Sequence, residues 1–143
     1  AKNVDRRQRF GLGVAEQRRR AFEVIQHQLG HAVMQQIRHL LRFVFVVSLL
    51  AVFWLALLPA PDVVKLVSWQ DKIEHAVLFA GLALLALAAW PQQPLAIALG
   101  LLVYGAAMEV AQSFTVHRFG DPWDWLADAA GLFVLLPFAL QRR

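Results

Sequence analysis

The sequence predicts an all-α membrane protein, a four-transmembrane-helix bundle preceded by an N-terminal amphipathic helix at the cytoplasmic face or membrane interface. Three observations carry this. Of the 143 residues, 59% are hydrophobic and only 17% charged, against roughly 45–50% and 25% in soluble domains. Four apolar runs, about 40–58, 73–90, 94–114 and 123–140, are each 18–21 residues long. At ~1.5 Å rise per residue each spans roughly 27–31 Å, the thickness of a hydrocarbon core. The charges, finally, are unevenly placed.

Residues 1–42 hold nine basic side chains against three acids, a net +6, and Arg142 with Arg143 adds +2. The stretch between holds Lys65, Lys72 and Arg118 against seven acids, a net −4, and the whole chain sums to +4. Eleven of the fourteen Lys and Arg thus lie in the terminal segments. By the positive-inside rule and an even number of spans, both termini are expected in the cytoplasm, with loops 59–72 and 115–122 outside. The long apolar runs exclude a nucleic-acid binder despite the basic balance. The absence of cysteine excludes a disulfide framework, a thiol nucleophile and a thiolate metal site.

Taken in order, residues 1–39 form a first unit. Residues 1–14 read as a basic, glycine-containing tail. From Ala15 onward Phe22, Ile25, Leu29, Val33, Ile37 and Leu40 recur at helical spacing on one face, opposite Arg, Gln and His. Such a helix can lie on an anionic leaflet, dock on a partner subunit, or simply extend the first span. His27 and His31, i and i+4 here, read as exposed polar-face residues. Residues 40–143 form the second unit. Its first run is too long for a signal-peptide h-region, and no small-residue cleavage site follows it. The uncharged W-P-Q-Q-P link at 90–94 is a tight turn, since proline ends one helix and opens the next. Trp69, Trp90, Trp123 and Trp125 lie near predicted interfaces. Tyr104 and Ser48 read as polar packing groups.

Ionisable residues in a span are costly, which makes the few present here the main functional signal. Asp71, His75 and Phe79 share one face at the start of the second span, beside Lys72. Gly105, Glu109, Gln112 and Val116 share one face at the end of the third. Asp124, Asp128 and Gly131 share one face of the fourth, following Arg118 and Asp121 in the loop. Asp121 or Asp124 is placed to cap that last helix. Glu109 lies about 7–8 Å below its helix end, where an ionised carboxylate needs a partner or takes up a proton. Turned inward, the three stripes form one pocket at the outer face.

The pattern D-K-x-x-H-x-x-x-F, then E-x-x-Q, then R followed by D-x-x-x-(N/D)-x-x-G resembles the VanZ-like family of small bacterial membrane proteins. It is carried by Asp71, Lys72, His75, Phe79, Glu109, Gln112, Arg118, Asp124, Asp128 and Gly131, and covers about residues 40–140. Asp128 stands where many members carry Asn. The resemblance implies a four-helix protein of the bacterial inner membrane and an association with the cell envelope and glycopeptide resistance. It supplies no biochemical activity, and residues 1–39 have no counterpart in the family's minimal form.

Two functions are expected from these features. In one, the protein is an accessory or scaffold subunit of a larger inner-membrane complex, docking through its N-terminal helix. In the other, it is a cell-envelope enzyme or binding protein acting on lipid-linked precursors. There His75 or Glu109 would be the base and Arg118 the charge stabiliser, with Asp71, Lys72, Gln112, Asp124 and Asp128 binding. An acidic pocket repels a bare phosphate but welcomes a divalent cation, which His75, Glu109 and an Asp could hold against a phosphorylated head group. A proton path is disfavoured, because the inner halves of the spans lack ionisable residues.

Overall fold

The computed structural model describes residues 2–59, 69–116 and 120–141, with backbone alone for 2–15. The described residues form four α-helices and no strand: α1 (Lys2–Leu57), α2 (Gln70–Ala89), α3 (Pro94–Ser113) and α4 (Pro122–Gln141). All four are long and apolar enough to cross a membrane. The chain divides into two compact units, Ala1–Ile37 and Arg38–Arg143.

The first unit is helical throughout its described length. The helix reaches back to Lys2, through the stretch that reads in the sequence as a basic, glycine-containing tail. Gly11 and Gly13 each disfavour helix by about 1 kcal/mol, but the Arg, Gln, Ala and Glu residues around them are good helix formers. Phe22, Ile25, Leu29, Val33 and Ile37 are all exposed. Arg20 and Arg19 pair with Glu16 and Glu23 one turn away. His27 and His31 stack edge-to-face with ring centroids 4.3 Å apart, exposed.

In the second unit, helix boundaries follow local chemistry. Pro94 occupies the first turn of α3, where its missing N–H costs nothing. Trp90 closes α2 by donating its N–H to Ala86 O at 2.8 Å. Asp121 precedes Pro122 and starts α4: its Oδ1 accepts the N–H of Trp123 at 2.9 Å, and its carbonyl accepts that of Asp124.

Helices α2 and α4 touch through their backbones. Gly131 faces Ala76 so closely that a Cβ there would overlap the Ala76 carbonyl. Small residues permit such approaches between apolar helices. Helix α3 packs on both α2 and α4. The core is compact: Phe79, Leu82, Ala83, Leu101, Met108 and Leu132. Helix α1 is seated differently. Within this unit, among the described residues, no Cα of the 38–57 part of α1 comes within 8 Å of a Cα in the other helices. It is held by side chains. Tyr104 donates its hydroxyl to Leu49 O at 2.7 Å, and Gln112 donates Nε2 to Ala56 O at 3.1 Å. Trp90 packs against Phe45 and under the Arg42 guanidinium.

The outer faces of the helices are apolar. Leu50, Trp54, Val77, Leu84, Val103 and Phe133 are each more than half exposed. Facing water, such a surface would drive association; facing lipid, it carries no penalty.

Candidate functional site

The start of α2, the end of α3 and the start of α4 bring their polar residues together in two layers. The upper layer is an ion cluster. Lys72 Nζ lies 2.9 Å from Asp124 Oδ1, 3.1 Å from Asp121 Oδ2 and 3.9 Å from Asp71 Oδ2. One flexible ammonium thus bridges α2 to the first turn of α4. The Trp123 N–H and the Lys72 ammonium hold the Asp121 carboxyl below the usual carboxylate range. Asp121 therefore serves twice, as helix cap through Oδ1 and as ion-pair partner through Oδ2. Between the two candidate caps in the sequence, the geometry selects Asp121.

The lower layer is more enclosed. His75 Nδ1 lies 2.9 Å from Asp128 Oδ1, and its Nε2 lies 3.9 Å from Asp124 Oδ2. Asp128 is completely buried, and Glu109 and Gln112 are nearly so. Glu109 Oε2 accepts the backbone N–H of Asp121 at 2.7 Å, so the end of α3 is pinned to the start of α4. One oxygen on each buried acid, Glu109 Oε1 and Asp128 Oδ2, is without a hydrogen-bond partner among the described residues. His75, Glu109 and Asp128 each offer a ligand atom, all within 4.8 Å of one another. Gly105, one turn before Glu109, lies against this layer: a Cβ there would sit 2.8 Å from Asp128 Oδ2 and 3.2 Å from the Phe79 ring.

A cleft of about 330 Å³ opens beside the lower layer, between α1, α2 and α3. Val52, Leu55, Ala56, Leu78 and Met108 form its apolar walls, and His75, Glu74 and Gln112 supply its polar groups. A pocket of that kind, mostly apolar with a few fixed polar groups, suits an amphiphile.

The three stripes thus converge, with a division of labour that spacing alone does not reveal. Lys72 is spent on the α2–α4 clamp. Gln112 ties α1 to α3 while lining the cleft. Asp71 stands at the edge of the ion cluster. Arg118 lies outside the described residues. Two contributors escape a reading of side chains. The partner of Glu109 is a backbone N–H, which leaves no mark in the sequence. Trp125, which reads as an interface residue, also donates Nε1 to Leu102 O at 2.9 Å and joins α4 to α3. Five carboxylates (Asp71, Glu109, Asp121, Asp124, Asp128) face one lysine among the described residues, so the site is strongly acidic.

Searches of the chain against protein-family models, curated proteins and solved structures gave no match.

Proposed function

We propose that the protein is a multi-pass protein of the bacterial inner membrane, a VanZ-like four-helix bundle with both termini in the cytoplasm. In this reading it binds the polar head of a lipid-linked envelope precursor at the outer face. The supporting observation is the meeting of His75, held by the fully buried Asp128, with a cleft of about 330 Å³ whose other walls are mostly apolar, with Glu74 and Gln112 beside it. An amphiphile entering from the lipid would lay its chain on Val52, Leu55 and Leu78 and bring its head to His75 and Gln112. The test is lipid analysis of protein extracted in mild detergent. Wild type should carry an enriched lipid species that His75→Ala loses while still accumulating in the membrane. Identical lipid profiles for both would refute the reading.

A second reading, an accessory subunit of a larger membrane complex docking through its N-terminal helix, is favoured by a separate observation. Phe22, Ile25, Leu29, Val33 and Ile37 form one apolar face, every member of which is exposed. Deleting residues 1–36 should abolish co-purification with the complex and leave insertion intact. Unchanged co-purification would remove the docking role.

A further inference from the structure

We infer that His75, Glu109 and Asp128 form a binding site for one first-row divalent transition-metal ion, of the Mn²⁺ or Zn²⁺ kind. Three independent helices deliver the ligands, α2, α3 and α4, and the ligand atoms lie within 4.8 Å of one another. Neighbouring donors on an ion with ~2.1 Å bonds stand roughly 3.0–3.4 Å apart. The cluster therefore closes onto an ion with an adjustment of at most about 1.5–2 Å, within reach of side-chain torsions.

Proximity of acids would not suffice. The second observation is the pair of orphaned oxygens. Asp128 is wholly buried and Glu109 nine-tenths buried. Each uses one oxygen, on the His75 ring and on the Asp121 N–H respectively. Each keeps a second buried oxygen with no donor among the described residues. Buried polar atoms are rarely left so, because the lost hydration is not repaid. A cation supplies what both oxygens lack. The one cationic side chain described nearby does not: Lys72 is committed to Asp121 and Asp124 in the layer above.

The donor set narrows the ion. One imidazole and two carboxylates, without thiolate, fit Zn²⁺, Mn²⁺ or Fe²⁺ better than the soft ions that select sulfur. The imidazole also argues against Ca²⁺ and Mg²⁺, which take oxygen ligands. Asp128 matters most here. As a second buried carboxylate it gives the site an anionic donor that an asparagine would not.

The test uses full-length protein in mild detergent, its affinity tag removed, stripped with chelator and re-equilibrated with Zn²⁺ or Mn²⁺. Bound metal is read by elemental analysis after desalting. One ion per chain is expected, with affinity for Zn²⁺ or Mn²⁺ at least tenfold above that for Mg²⁺. Asp128→Asn and Glu109→Gln should each cut retention at least tenfold. Asp121→Asn, whose side chain bonds Lys72 and the Trp123 N–H in the upper layer, should retain the ion and show that a folded variant binds. Added metal should raise the melting temperature of wild type but not of Asp128→Asn. Failure of stripped wild type to take up either ion would overturn the site, as would equal retention by Asp128→Asn. Uptake of metal without any enriched lipid would keep this site and sink the lipid reading above; the reverse result would do the opposite.

Discussion

Substituting Gly131 by alanine tests the packing that builds the site. A Cβ at this position meets the carbonyl oxygen, carbonyl carbon and Cα of Ala76, all backbone atoms, so no rotamer change relieves the overlap. To restore ordinary van der Waals separation α2 and α4 must part by about 1 Å. Overpacking of this kind costs about 1–3 kcal/mol. The His75–Asp128 bond, 2.9 Å across the same interface, would stretch to roughly 3.9 Å, beyond hydrogen-bond range. A buried bond so broken costs about 1–3 kcal/mol more. Alanine returns about 1 kcal/mol through helix propensity, which leaves a net loss of about 1–5 kcal/mol. The assay is unfolding in mixed micelles, with Gly81→Ala as control. Gly81 lies on α2 with open space where its Cβ would go, so that variant should be neutral or slightly stabilised. If Gly131→Ala unfolds like Gly81→Ala, the backbone contact between α2 and α4 is not what holds them.

Asp121→Ala should lower stability, since it removes a helix cap and an ion-pair partner together. Asp121→Asn, which keeps the cap, should recover most of that in the same unfolding assay. Lys72→Met leaves Asp71, Asp121 and Asp124 facing one another. It should lower stability at low salt, and raised ionic strength should return part of the loss. Tyr104→Phe removes the bond to Leu49 O and should cost about 0.5–1.5 kcal/mol. Combined with Gln112→Ala, it should speed proteolysis of α1 relative to α2–α4.

Element positions were the most legible part of the sequence. An apolar run of bilayer length has few alternatives, and α2, α3 and α4 begin and end within three residues of the runs that predict them. Proline made the turn before α3 plain. Polar stripes were legible because i, i+4 spacing fixes a face whatever the partner: His75, Glu109 and Asp128 meet for that reason. The pairing within the cluster was not. Lys72 reaches across about fifty residues of chain to choose Asp121 and Asp124 over its neighbour Asp71. That choice depends on how α4 is rotated, which Gly131 and Ala76 decide. The seating of α1 left no trace either, because its apolar pattern is the same whether backbones touch or stand apart.

That seating has a consequence for how the chain tolerates change. The two hydrogen bonds from Tyr104 and Gln112 to α1 end on main-chain oxygens, Leu49 O and Ala56 O, seven residues or almost two turns apart. Every residue type presents the same oxygen there. The donors Tyr104 and Gln112, both on α3, therefore set the register of α1, while α1 itself contributes only shape and greasiness at those points. Substitutions along α1 that preserve its bulk should drift freely, whereas the two positions on α3 that grip it should not. The wall of the cleft formed by Val52, Leu55 and Ala56 can thus be recut in shape without rebuilding the polar end it leads to.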